Sequence, residues 1–267
     1  MIPVVPNPVF FSIGPVDIRY YGLVYALGFL FVYFWLRHRS KKGRFSLSTD
    51  QIDTFMIYAI LGGIIGARLG EFLFFQQSVL FSDPLQVLKI WQGGMSIHGG
   101  IIGFLFTSHL FCRKYKKKIY EITDNVVVPV SLVLVFGRIA NFINAELVGV
   151  ISSIPWAINW FGERGVNGEL VGRHPSTIYE AIKNLFVFIV LFVLDTKQKL
   201  KKKIKDGYIT WLFVLLYGGL RVITDIWRAD NKWLFGIVGT GQILSFVMAA
   251  LAIVILIKYY WLKKDRK

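Results

Sequence analysis

Three arginines stand inside apolar runs, where an arginine at a membrane span's centre costs about 2.5–3.5 kcal/mol on insertion scales. Each therefore needs a reason. Arg138 lies in VFGRIANFINAELVG, with Asn141 and Asn144 on the same helical face and Glu146 just beyond. Arg221 lies in YGGLRVITDIWR, with Tyr217 one turn before it and Asp225 one turn after. Arg68 lies in GARLGE, one turn before Glu71. His98 sits in GGMSIHGG, and Tyr21 opens the first apolar stretch.

Guanidinium groups in a low-dielectric setting suit a phosphate, because the planar fork is always charged and matches phosphate oxygens. At a membrane the abundant phosphate is a phospholipid head group. Imidazole titrates near neutral pH, which makes His98 the natural general base. No acidic cluster offers a metal site, no GxSxG occurs, and no cofactor is implied. The one cysteine, Cys112, excludes a disulfide framework and lies at the far end of its span from His98. The nucleophile must then come from a second substrate. Each residue also has a plainer role open to it. Arg68–Glu71 fits an intrahelical pair, Tyr21 an interface anchor, and His98 a helix cap. Arg138 with its asparagines fits interhelical glue, Arg221–Asp225 mutual neutralisation, and Lys183 a snorkelling or inward-facing lysine.

The elements that carry these residues are membrane spans. The chain has 267 residues, of which 55% are apolar and 18% charged, against about 45–50% and 25% in ordinary chains. Mean hydropathy is +0.54. These values exclude a disordered or fibrous protein and argue against a soluble one. A bilayer core needs about 20 apolar helical residues. Seven stretches qualify or nearly do: Tyr20–Leu36, Ile52–Phe75, Met95–Cys112, Ile122–Ile143, Thr177–Leu194, Tyr208–Thr224 and Phe235–Tyr260. Residues 1–19 lack a basic n-region and predict no cleavable signal.

The net charge of +15 could suggest nucleic-acid binding, but its distribution argues otherwise. Of the 31 Lys and Arg, 21 fall in every second loop and at the C-terminus, and 6 on the opposite side. The positive-inside rule then places the N-terminus outside and the C-terminus in the cytoplasm, with no nucleic-acid partner. The expected fold is an all-α polytopic membrane protein of seven transmembrane helices, one domain over 1–267. Within it an outer-side loop, 144–176, lies between helices 4 and 5 and is long enough for a small fold of its own. In this topology Arg68, Arg138, Arg221, His98 and Tyr21 share one depth, in the outer half. Two other functions remain open: another outer-leaflet head-group transferase or hydrolase, and a lipid or anion transporter. The apolar inner halves of the spans weigh against the transporter.

The segments FFSIGPVDIRYYGLVYALGF, GARLG, QGGMSIHGGIIG, GRIANFINAELVG, RHPSTIYEA and YGGLRVITDIWR occur in order from about residue 9 to 228. Together they resemble the bacterial phosphatidylglycerol–prolipoprotein diacylglyceryl transferases. The resemblance implies a transferase of the bacterial cytoplasmic (inner) membrane with its active site toward the outer leaflet. It would move diacylglycerol from phosphatidylglycerol to the lipobox cysteine thiol of a prolipoprotein signal peptide, forming a thioether and releasing glycerol phosphate. It carries the family's essential tyrosine and histidine to Tyr21 and His98, and its signature residues to Arg138, Asn141, Glu146 and Gly149. The tyrosine–arginine pair maps to Tyr217 and Arg221. His98, Arg138, Arg221 and Tyr21 are the expected catalytic residues. Asn141, Glu146, Gly149, Tyr217, Asp225 and Arg68 are the expected substrate-binding residues. Glu146 and Asp225 are expected to fix the arginines. Ala140 and Ala145 stand where the family usually has glycine, Val148 where it often has an aromatic, Asp225 where it commonly has glutamate, and Glu71 where it usually has an aromatic.

Overall fold

The structure, a computed structural model, describes residues 3–4, 6–14, 16–201, 205–229, 232–234 and 238–261. The described residues form eight α-helices: α1 Tyr20–Lys41, α2 Thr49–Phe74, α3 Gln77–Ser82, α4 Ile97–Tyr115, α5 Ile119–Ile143, α6 Ser176–Lys201, α7 Tyr208–Thr224 and α8 Thr240–Ile255. Six segments are long and apolar enough to cross a membrane: Tyr20–Lys41, Thr49–Phe74, Ile119–Ile143, Ser176–Lys197, Tyr208–Trp227 and Gly241–Lys258. The protein is a multi-pass membrane protein. The 19-residue α4 is not among the six, because His98, His109 and the Arg113–Lys114 pair dilute its apolar run.

The seven expected stretches all appear as helices, and Tyr208–Thr224 coincides with α7 at both ends. The last helix starts later than expected. Val238–Gly239 (β6) instead pairs antiparallel with Lys232–Leu234 (β5), and α8 begins at Thr240. Phe235, where the sequence placed that start, lies outside the described residues, as do the basic positions 202, 203, 263, 264, 266 and 267.

The chain divides into two compact units, one of residues 33–122 and one of residues 1–32 with 123–267. In the first, Ser48 and Gln51 form a reciprocal capping box that starts α2. Glycines join α2 to α4. A Cβ on Gly70 would come 2.6 Å from Gly99 Cα, and one on Gly66 would come 2.7 Å from Gly103 Cα. Phe55, Phe72 and Phe111 are fully buried in this unit. After α2 the chain turns through α3 and two short 3-10 segments, Pro84–Leu88 and Ile90–Gln92.

The second unit holds α6, α7, α8 and most of α5. The Asp124 carboxylate closes the start of α7: it accepts from the backbone N–H of Gly207 (2.6 Å) and Thr210 (2.8 Å) and from the Thr210 hydroxyl (2.5 Å). Four donors at a helix start lack partners within the helix, and this carboxylate satisfies two of them. At the other ends of α5 and α6 the connection 144–175 is irregular but ordered by backbone pairing. Gly149 bridges Arg228, Ile151 and Ile158 bridge Arg173, and Arg164 bridges Leu170. Asn159–Trp160 (β4) pairs in parallel with Pro3–Val4 (β1), and Val9–Ile13 (β2) forms a hairpin with Val16–Arg19 (β3). Large apolar side chains are exposed along the spanning helices, Leu61 and Leu69 of α2 and Phe246 and Leu251 of α8 among them. That is the pattern of a lipid-facing surface rather than a wetted one.

Candidate active site

Charge and hydrogen bonding gather where α5, α6 and α7 meet the irregular connections. Arg138, five residues before the end of α5, donates from Nη1 to Asn141 Oδ1 (3.3 Å). Asn141 Nδ2 donates to Glu146 Oε2 (2.7 Å), and Asn144 Nδ2 donates to Glu146 Oε1 (3.1 Å). Glu146 can reach back because the chain leaves α5 with Ala145 and Leu147 in the left-handed region (φ 52° and 55°). The Glu146 N–H then donates to the Asn141 carbonyl at 2.9 Å. Glu146 thus acts on Arg138 through Asn141, not directly.

The carboxylate that meets Arg138 is Glu180, in the second turn of α6 and only 1% exposed. Arg138 Nε lies 2.7 Å from Glu180 Oε2, and Arg228 Nη1 donates to Glu180 Oε1 at 3.1 Å. The same Arg228 nitrogen is 3.8 Å from Asp225 Oδ1. Asp225 Oδ2 faces Arg221 Nε at 3.5 Å, and Arg221 Nη1 donates to the Tyr217 hydroxyl at 3.3 Å. The Lys183 ammonium lies 4.2 Å from the centre of the Tyr217 ring. One chain of charges therefore links Arg138, Glu180, Arg228, Asp225 and Arg221. The carboxylates fix each guanidinium by its Nε side. Among the described residues, Nη2 of Arg138 and of Arg221 has no hydrogen-bond partner, which leaves each fork a free donor. The start of α8 closes on this pair: a Cβ at Gly241 would come 3.1 Å from Asp225 Oδ2 and 3.3 Å from Arg221 Nη2.

Gly149 holds the connection to the network from behind. Its N–H donates to the His174 carbonyl (3.1 Å), while Val150 N–H donates to Trp227 O (3.0 Å) and Ala229 N–H to Val148 O (3.2 Å). A Cβ on Gly149 would come 2.7 Å from the Trp227 carbonyl oxygen, so only glycine lets these backbones meet. Farther out, Arg173 grips Glu163 with both ends of its fork (2.7 and 2.7 Å) and holds that carboxyl below the usual carboxylate range, against the smaller upward push of burial. Tyr21, at the start of α1, accepts from the Tyr25 hydroxyl at 3.3 Å, with the rings edge to face. Tyr25 in turn lies within electrostatic reach of Arg138 and Glu146.

His98 and Arg68 belong to the other unit. His98 is exposed at the second position of α4; the cap there is Ser96, whose Oγ accepts from the Gly99 N–H (3.4 Å). Arg68 is buried and does not pair with Glu71, which takes a hydrogen bond from Gln76 instead (3.0 Å). Its guanidinium is spent on backbone carbonyls: Nε donates to Val87 (2.9 Å), Nη2 to Gln86 (2.7 Å) and Lys89 (2.9 Å), and Nη1 to Gly93 and Gly94. These bonds tie down the turns between α3 and α4.

The structure brings together Tyr217, Arg221 and Asp225, joins them through Arg228 and Glu180 to Arg138, Asn141 and Glu146, and sets Gly149 behind them. Sequence reasoning missed Glu180 and Arg228. The signal for Glu180 was available: a carboxylate in the apolar run TIYEAIKNLF is as costly there as an arginine. Arg228 was counted as a loop charge. Among the described residues no three His, Cys, Asp or Glu side chains come together as a metal would require.

Residues 8–258 match the family described as prolipoprotein diacylglyceryl transferase. The phosphatidylglycerol–prolipoprotein diacylglyceryl transferase of Janthinobacterium sp. (strain Marseille) is 38% identical over 265 residues, 96% of this chain and 96% of that protein. The protein of the same description from Rickettsia africae (strain ESF-5) is 39% identical over 249 residues, 92% and 93% of the two chains. With a family match over nearly its whole length and relatives covered over more than nine tenths of theirs, the chain belongs to the prolipoprotein diacylglyceryl transferase family.

Proposed function

We propose that the protein transfers the diacylglyceryl group of phosphatidylglycerol to the thiol of the lipobox cysteine in a prolipoprotein signal peptide, forming a thioether and releasing glycerol phosphate. The observation that carries this reading is the linked pair of arginines, each held at Nε by a carboxylate with Nη2 left open. Such forks bind a phosphate and stabilise charge that builds on it as it leaves. Tyr217 and Asn141, which hydrogen-bond to the two arginines, fix them and meet the glycerol part of the head group. Tyr21, Glu146, Gly149 and Asp225 shape and orient that site. A free thiol with a pKa near 8.5 is mostly protonated at neutral pH, so a base is needed. The resemblance and the chemistry of imidazole assign that role to His98. Arg68 is a positioning residue, since its donors order a connection near the start of α4.

The setting proposed is the bacterial cytoplasmic membrane. The 21-to-6 division of Lys and Arg supports an outward N-terminus, a cytoplasmic C-terminus and a site toward the outer leaflet. It also supports α4 as a seventh span, because the basic loops 113–118 and 37–44 then fall on one side. The deciding experiment mixes purified protein in detergent with phosphatidylglycerol and a lipobox peptide. Mass spectrometry should find the peptide heavier by one diacylglyceryl group on its cysteine. An unmodified peptide, or acylation elsewhere, rejects the reading.

A further inference from the structure

Lys183 lies one turn past Glu180 on α6, with 6% of its surface exposed. Its Nζ is buried and has no hydrogen-bond partner among the described residues; it lies over the face of the Tyr217 ring, 4.2 Å from the centroid. Glu180, Arg138 and Arg221 are close enough to act on it electrostatically. An ammonium has three donors, and burying them unpaired is costly. A ring face offsets part of the charge and satisfies no donor in line. Both nearby carboxylates are already engaged, Glu180 by Arg138 and Arg228, and Asp225 by Arg221 and Arg228. Glu146 reaches the cluster only through amides. Basic groups outnumber acidic ones here, and the missing acceptor has to arrive with a ligand.

We infer that Lys183 is a third cation of the phosphate site, donating to an oxygen of the phospholipid phosphate and taking up the charge that forms on it. This rests on the phosphatidylglycerol reading above. In that reaction sulfur forms a bond to the glyceryl carbon, and the carbon–oxygen bond to phosphate breaks. The electron pair stays on the phosphate oxygen, and the thiol proton leaves on a base. The phosphate passes from a diester with one negative charge to a monoester that can carry two. A donor without a partner in the resting chain gains most as that second charge appears.

The test compares Lys183→Met and Lys183→Arg with the wild type in detergent, measuring melting temperature, kcat, KM for phosphatidylglycerol, and stabilisation by added glycerol phosphate. Methionine fills the same space and removes a buried unpaired charge, so its melting temperature should equal or exceed the wild type's. We expect kcat to fall about 100-fold with KM changed by less than about threefold, as for the loss of one charge-stabilising donor. Arginine should restore about a tenth of the lost rate or more, since it keeps the charge with another shape. Stabilisation by glycerol phosphate should weaken in Lys183→Met. Turnover close to wild type in Lys183→Met overturns the inference. So does lost turnover with a lowered melting temperature and unchanged glycerol phosphate stabilisation, which is the signature of packing. Should the wild type leave the lipobox peptide unmodified, the phosphatidylglycerol reading fails. A glycerol phosphate effect present in wild type and absent in Lys183→Met still supports the cation, and equal effects reject it.

Discussion

Glu180→Ala tests whether one buried carboxylate organises the site. Glu180 forms an ion pair with Arg138 at 2.7 Å and accepts a hydrogen bond from Arg228 at 3.1 Å in nearly complete burial. The hydrogen bond from Arg228 to this charged group contributes about 1.5–3 kcal/mol, and the Arg138 ion pair adds to it. Removing one partner from a buried charged pair costs about 3–5 kcal/mol. Within a membrane the unfolded reference also finds partners, which favours the lower end, about 3 kcal/mol. At about 2–4 °C per kcal/mol for a chain of this size, the melting temperature should fall by about 6–12 °C. Turnover should suffer more than stability. Arg138 would keep only the 3.3 Å bond to Asn141, and a drift of about 1 Å in a positioning group costs about 100-fold in rate. Glu180→Gln preserves the volume and one acceptor but not the charge, and should lose about half the stability that alanine loses. Thermal scans in detergent and the lipobox-peptide assay read the two effects. A Glu180→Ala protein that melts within about 2 °C of wild type and turns over within about threefold of it refutes the claim that this carboxylate sets Arg138.

Arg138→Ala and Arg221→Ala should each lose most activity while still inserting into membranes. Arg138→Lys should not restore it, because an ammonium lacks the planar fork; near-normal rates in that variant would mean a point charge suffices. For topology, single cysteines at positions 165 and 200 in intact cells should react and not react, respectively, with an impermeant reagent. The reverse pattern would invert the orientation. For pH, Arg173 depresses the Glu163 carboxyl in the folded state. The pair's contribution is therefore complete above the unfolded carboxylate value near 4.3 and disappears as pH falls through the lower folded value. The melting temperatures of wild type and Glu163→Gln should differ at neutral pH and converge once the pH falls below the depressed folded value, and a gap that persists in stronger acid argues for packing instead.

The spans and the arginines were legible in the sequence for the same reason: a charge in an apolar run is conspicuous. The α7 limits could be read to the residue because Gly207 and Asp225 mark a change in composition at both ends. The partners of Arg68 were not legible because they are backbone carbonyls 18 to 26 residues away, and side-chain spacing carries no trace of them. Glu180 was overlooked at the start of a span, where a carboxylate passes for an interfacial residue. Its two arginines come from α5 and from the turn after α7, so their meeting is tertiary and has no sequence period. The late start of α8 was hidden likewise, since Phe235, Ile237 and Val238 read as the apolar start of a span, whereas Val238–Gly239 forms a strand pair with Lys232–Leu234.

Gly62, Gly66 and Gly70 of α2 receive Gly99 and Gly103 of α4 with backbone against backbone. If α4 crosses the bilayer, it does so as the least apolar of the spans, and it leaves the ribosome after its partner. Its insertion then depends on company: α2 offers a ready groove, and no side-chain freedom is lost when the two dock. A methyl group added to that seam would act on biogenesis before it acted on chemistry. The chain would be made at its normal rate, yet α4 would more often fail to enter the membrane and the protein would be degraded. Amounts in the cell, more than specific activity, would record the damage.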